Sequence, residues 1–303
     1  MANTIPAGLQ RDLFLAAAMT AFADALTPLG LFSTVFRNVA LEGTNKVQVP
    51  YYPLDTASAK DFAGTYTFTT GTVTSSKEIT VNKRKYLDLS FTSEELARQP
   101  NLDPVKLGTL RGRKLAEDVL ADIFSVVTAA NFGAAAFTGA ASDFDVDDVI
   151  DLETTVETAK WPITGRGLIT LPAYIGGLKK DMNAGGGLAT FGRDSNGSLR
   201  TFPMLNSFNV TSSNYIPANG ENLKGFVTLP SAILIAFAPV PPAQELLDSG
   251  VRYEVMEDPN GSGIVMESRR WGDGDTDKAK HVLEVNYGYA VGEAAALKRI
   301  VSS

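Results

Sequence analysis

Between Asp103 and Asn131 one stripe of side chains limits what the rest of this chain can do. Val105, Gly108, Gly112, Ala116, Val119, Ile123 and Val127 recur at intervals of three and four, which places them on a single helical face. Asp103 can cap the first free amides, and Pro104 suits the first turn because its missing N–H has no partner there. The first half of the stripe is small, so another backbone can approach closely. The second half, joined by Leu120 and Phe124, is bulky enough for a core. At 1.5 Å per residue the run is about 40 Å long, near the diameter of a small domain. Such a helix is a strut, and the chain folds along it.

Composition narrows the function classes. With 303 residues and 44% hydrophobic content, the chain has material for about two cored domains. It has no cysteine and one histidine, which removes disulfides, thiolate metal sites and most transition-metal sites. A net charge of −7 argues against holding nucleic acid by phosphate neutralisation, so contact with DNA is expected to be loose. The apolar stretch Leu13 to Leu29 is bracketed by Asp12 and Asp24 and lacks a basic leader. It reads as an amphipathic arm rather than a membrane span, helical from Leu9 to Leu26 and stopped by Pro28 and Gly30. Such an arm needs a partner face, which terminal segments often find on a neighbour.

A strand-like run from Lys46 leads into small and polar residues from Asp55 to Ser76. The chain then returns through Ile79, Val81, Leu87, Leu89 and Phe91 in the alternation of a half-buried strand. An excursion of this length is unusual without its own core, and only Phe62, Tyr66, Phe68 and Val73 are available to build one. It is either a surface hairpin or an arm buried against another subunit. Charge favours the second reading. Between Ala59 and Tyr86, Lys60, Lys77, Lys83, Arg84 and Lys85 face only Asp61 and Glu78, a net +3 that leaves −10 for the remainder. A positive arm can dock on the acidic body of a copy.

Farther on, a helix is expected from Asp145 to Ala159 and a buried strand at Gly167 to Pro172. A short helix at Ala173 to Met182 and a glycine-rich loop from Asn183 to Ser198 follow. Strands are expected at Phe208–Thr211, Gly225–Leu229, Ile233–Ala238, Val251–Glu257, Gly263–Trp271 and Val282–Val291. Early helices and late long strands give an α+β class.

No catalytic, cofactor or metal site emerges. His281 has no serine or cysteine motif beside it and reads as structural or solvent-facing. Gly185-Gly-Gly and Gly220-Glu-Asn-Leu-Lys lack a phosphate-loop ending. Asp273, Asp275, Asp277 and Glu284 match the acids of a calcium loop, but Lys278 stands where the turn needs glycine, and an acidic hairpin turn is the preferred reading. Asp143, Asp145, Asp147 and Asp148 suit the first turn of a helix.

The order of elements resembles the Hong Kong 97-type major capsid protein of tailed phages. Gly165-Arg-Gly-Leu-Ile-Thr-Leu-Pro-Ala-Tyr resembles the central strand and helix of that family's axial domain. So does Asn209-Val-Thr-Ser-Ser-Asn-Tyr-Ile-Pro, leading through Gly225-Phe-Val to Pro230-Ser-Ala-Ile. The runs from Val251 to Gly292 resemble its closing strands. The resemblance implies an N-terminal arm (1–46), an extended loop (47–91), a peripheral domain (92–162 and 251–292) with a spine helix at 103–131, and an axial domain (163–250 and 293–303). It implies a non-enzymatic shell protein of the virion, assembled in the host cytoplasm from hexamers and pentamers of itself around double-stranded DNA. Separate scaffolding, portal and decoration proteins are the further partners implied, with no membrane and no cofactor. Lys60, Phe62, Tyr66, Phe68, Lys77, Lys83, Arg84 and Lys85 are the candidate inter-subunit contacts. Lysine-to-asparagine crosslinking, found in some members, is not expected, because no matching asparagine or acidic catalyst accompanies Lys60 or Lys77. The competing readings are an encapsulin-like compartment shell and a soluble hydrolase using carboxylates.

Overall fold

The structure is a computed structural model that describes residues 7–37, 45–54, 59, 61–62, 64–66, 75–92, 94, 103–184, 204–205 and 207–303. Helices α1 (Ala7–Leu26) and α2 (Leu29–Phe32) lead into β1 (Ser33–Arg37), β2 (Lys46–Tyr51), β3 (Ser75–Thr80) and β4 (Lys83–Thr92). Next come α3 (Pro104–Phe124), α4 (Ala129–Phe132), β5 (Ala135–Thr138), α5 (Val146–Thr158), β6 (Gly167–Thr170) and α6 (Pro172–Ala184). The remainder is β7 (Met204–Leu205), β8 (Phe208–Ser212), β9 (Leu223–Thr228), β10 (Ile233–Phe237), α7 (Gln244–Asp248), β11 (Arg252–Glu257), β12 (Val265–Asp273), β13 (Lys278–Val291) and β14 (Leu297–Val301).

The strut forms where its sequence places it, but it is shorter than expected. Asp103 accepts from the amides of Val105 and Lys106 at 3.0 and 3.2 Å, and Pro104 occupies the first turn. Helix α3 ends at Phe124 rather than Asn131. The Val126-Val-Thr run is β-branched and leaves the helix, and Thr128 caps the short α4. The carbonyls freed there are recovered by side chains: Asn131 Nδ2 donates to Val126 O and Asn219 Nδ2 to Val127 O, each at 2.7 Å.

The close approach that the small stripe permits comes from the same chain. Helix α1 lies along α3, with the Phe14 carbonyl over Gly108 and the Ala18 carbonyl over Gly112. The expectation that the arm finds its partner face on a neighbour is therefore corrected. By length and hydropathy Asp12–Phe32 passes as a membrane span, yet Phe14, Leu15, Ala18, Met19, Phe22 and Leu26 are core residues here. The physical reason is the pair of glycines, which removes the Cβ atoms that would keep two helix backbones apart.

Two six-stranded sheets share this core. The first is organised on β13, which pairs with β4 along one edge from Thr92 to Lys83. On its other edge β13 pairs with β12 through its first half and with β10 through its second. Strand β11 continues beyond β12, and β1 beyond β10. Ile233–Phe237, expected within the 163–250 segment, thus lies in the same sheet as the closing strands. The second sheet has the order β5-β14-β9-β6-β8-β7. Its β6 is buried along its whole length and is approached by fully buried Arg166, which donates to Pro162 O, Trp161 O and Ser207 Oγ.

Candidate assembly surface

The excursion divides into two parts. Its return strand breaks at Val81-Asn82, so β4 is the edge of the first sheet while β2 and β3 alone form the projecting ribbon. The root of that ribbon has a small core of its own. Val49, Ile79 and Val81 are buried against Leu234, Ala236 and Ala238 of the β10 segment. A Cβ at Gly288 would sit 2.1 Å from the Thr80 carbonyl oxygen, so only glycine lets β3 cross β13 there. Glu293 accepts from the Leu54 amide with both carboxylate oxygens, at 3.1 and 2.9 Å, which fixes where the ribbon leaves the body.

Beyond the root two apolar residues among those described are uncovered. The rings of Phe62 and Tyr66 lie 4.9 Å apart, and these residues are 65% and 76% exposed. Lys60 and Phe68, expected beside them, lie outside the described residues. Lys77 is exposed on β3, opposite Val49.

Lys83, Arg84 and Lys85 sit on β4, and two of them are committed within the chain. Lys83 Nζ donates to Asp122 at 2.9 Å and to Tyr289 Oη at 2.8 Å, joining the ribbon's root to α3 and β13. Burial alone would lower its pKa, but the hydrogen bonds to Tyr289 and Asp122 prevail and hold it above the ordinary lysine value. Arg84 donates to Glu284 through Nε at 2.9 Å and through Nη2. Lys85 is half-buried opposite Val285.

Glu284 is the centre of a charged cluster on the sheet. It is 1% exposed and takes Arg84 on one oxygen. Arg269 Nε lies 2.5 Å from the other as an ion pair without hydrogen-bond geometry. Its register partner Glu267 is equally buried and accepts from Asn286 Nδ2 at 2.6 Å, Tyr253 Oη at 2.9 Å and the Val240 amide at 3.1 Å. Burial raises the pKa of Glu267. Burial and the hydrogen bond to Glu267 push the Tyr253 hydroxyl far above its usual range. Three of the four carboxylate oxygens thus accept hydrogen bonds from the chain's own donors, and the fourth, Glu284 Oε1, is held only by the Arg269 ion pair.

Residues 274–277 form the exposed hairpin turn between β12 and β13, the reading preferred over a calcium loop. Asp273 accepts from Lys280 Nζ at 2.6 Å, Thr276 Oγ1 at 2.7 Å and two turn amides, and its pKa falls to about 2, chiefly through Lys280. Glu284 is directed into the sheet. Among the described residues no group of three or more acids or histidines could hold a metal ion. His281 is structural: its Nε2 lies 2.7 Å from Ser268 Oγ, and its ring is 5.0 Å from that of Phe14 on α1.

The face of the sheet opposite α1 and α3 is built in rows. Strand register puts Tyr86, Glu284, Glu267 and Val255 in one row across four strands, with Asp88, Val282, Arg269 and Tyr253 beside it. Tyr86 and Val255 end their row at the two sheet edges, 61% and 37% exposed. A cleft of about 660 Å³ opens on this face, lined by Tyr86, Trp271, Val282, Leu246 and the two arginines. The pattern is a charged centre inside an apolar rim, the reverse of the apolar centre and polar rim usual at protein docking surfaces.

A strut helix, a projecting ribbon and two sheets in this order make the Hong Kong 97-type capsid fold. Solved structures of that kind match nearly the whole chain. The PhiM1 bacteriophage mature capsid is 11% identical over 90% of this chain and 86% of that one, with a TM-score of 0.55. The capsid of cyanophage P-SCSP1u is 12% identical over 89% and 87%, at 0.52. A virus-like particle from Pyrococcus furiosus is 12% identical over 95% and 98%, also at 0.52. No protein-family model and no curated protein sequence matches.

Proposed function

We propose that this chain is the major capsid protein of a tailed phage, a non-enzymatic subunit that assembles with itself into the head shell around double-stranded DNA. The observation that carries the reading is the exposed Phe62–Tyr66 pair, held on a ribbon whose root is cored and pinned. A lone monomer gains nothing from a firmly rooted arm with bare aromatics. A shell subunit gains a contact: covering both rings on a second copy is worth roughly 5 kcal/mol before ordering costs. Repeated around a closed lattice of hexamers and pentamers, modest contacts become a stable particle. The acidic body, at −7 overall, keeps packaged DNA from adhering. Scaffolding, portal and decoration proteins act as separate chains in this scheme.

One observation favours a second reading, an encapsulin-like compartment: the Pyrococcus furiosus particle matches from end to end, over 95% and 98% of the two chains. Electron microscopy of the purified protein tests both, with closed shells expected and a monodisperse monomer at all concentrations overturning them. Particles taken from the producing cell then separate the two. Double-stranded DNA inside supports the phage head, and a protein cargo supports the compartment.

A further inference from the structure

The first sheet ends in two long edges. Among the described residues β4 pairs only with β13 and β11 only with β12, which leaves one side of each without a strand partner. Exposed edges of this kind are normally shortened, bulged or interrupted by proline, since they invite pairing with another chain. None of these three devices is present. Strand β4 runs ten residues and β11 six, both in unbroken register and without proline. Of the four charges on β4 two are turned inward, where Lys83 reaches Asp122 and Arg84 reaches Glu284, while Arg252, Glu254 and Glu257 on β11 are exposed.

We infer that the β4 edge of one copy pairs with the β11 edge of the next, extending one antiparallel sheet from subunit to subunit. The inference rests on the self-assembly reading above and names the contact within it. Direction allows it. Strands β4, β13, β12 and β11 are successively antiparallel, so a β11 laid outside β4 is again antiparallel, the only polarity that continues the sheet without a reversal. Register favours it as well. Tyr86 and Val255 end the same row, so extending the rows unshifted sets Tyr86 of one copy opposite Val255 of the next. The neighbouring row then sets Arg84 opposite Glu257. The first pairing covers two apolar side chains that the monomer leaves exposed, and the second joins opposite charges, both favourable directly across a strand pair. Because the two edges differ, the contact is head-to-tail, the kind that closes into rings.

The chain's lack of cysteine makes a clean test. In one molecule the Tyr86 and Val255 positions are three strand spacings apart, roughly 14 Å, too far for a disulfide. Oxidising assembled Tyr86→Cys/Val255→Cys protein should give a reducible ladder of linked subunits. Equimolar Tyr86→Cys and Val255→Cys single variants should give dimers only when mixed. Shells that form normally but stay monomeric on a non-reducing gel would overturn the edge pairing and leave the shell reading intact. Dimers from either single variant alone would also overturn it, since they report like edges meeting. Should the double variant not assemble, amide exchange in the unaltered protein decides. Protection of 84–90 and 252–257 on going from subunit to particle supports the pairing, and unchanged exchange there rejects it.

Discussion

The Ala18 carbonyl oxygen lies 2.0 Å from where a Cβ at Gly112 would stand, so the packing of the first helix on the strut depends on an atom that is missing. Alanine at 112 should favour the helix by about 1 kcal/mol on propensity. The overlap is with backbone, which cannot rotate aside, and overpacking of this kind costs about 1–3 kcal/mol. Gly112→Ala is expected to destabilise on balance, lowering Tm by a few degrees. Gly30→Ala, where nothing lies within 4 Å, should be neutral or slightly stabilising. A calorimetric scan of the two variants decides, and equal melting would mean that the helices do not touch as described.

His281 should make stability depend on pH. Burial under α1, with the Arg270 charge adding to it, lowers its pKa to about 4 from an ordinary 6.5. Between those values the unfolded chain binds the proton and the folded one does not, so stability is complete above pH 6.5 and declines as pH falls toward 4. The loss is on the order of 3 kcal/mol at the lower end. Glu267, whose pKa is raised, pulls the other way, and a single curve therefore mixes the two. The difference in urea midpoint between the unaltered protein and His281→Gln, followed from pH 7 to 4.5, isolates the histidine. A constant difference across that range would refute it.

The two arginines on Glu284 should differ in cost. Arg269 is 14% exposed on its side chain and Arg84 50%. Removing the charge from Arg269 leaves a buried carboxylate half-compensated, and breaking a buried pair costs about 3–5 kcal/mol. Arg84 lies in solvent that screens its contribution to about 1 kcal/mol or less. Chemical denaturation of Arg269→Met and Arg84→Met should show this order, and the reverse order would mean that the cluster is held from the β4 side.

The strut, its cap and most of the later strands are legible because each rests on a local signal: Asp103-Pro104, the small stripe, and period-two alternation in β13. Two features are not. The stripe announces a close partner without saying which chain supplies it, and only the fold reveals that Phe14 and Ala18 do. The charged residues of β4 read as a basic arm because Asp122 and Glu284, which engage Lys83 and Arg84, are 39 and 200 residues away in sequence. Spacing alone would group Glu284 with Asp273, but the alternation of β13 fixes the direction of Glu284 and sets that grouping aside. Long-range pairing decides such cases, and spacing does not encode it.

Phe62 and Phe22 separate assembly from folding. Phe22 is fully buried between α1 and the core, and Phe22→Ala should cost about 3–5 kcal/mol in the subunit itself. Phe62→Ser with Tyr66→Ser removes two rings that the subunit leaves in water, so its melting should stay within about 0.5 kcal/mol of the unaltered protein. The same double variant should fail to form shells, or form them only at much higher concentration, because the contact that covers those rings is made between copies. Light scattering against concentration, alongside the melting curve, reads both quantities. Unimpaired shells from the double variant would remove the ribbon from the assembly contact, and a large fall in subunit stability would place the two rings in the monomer's own core.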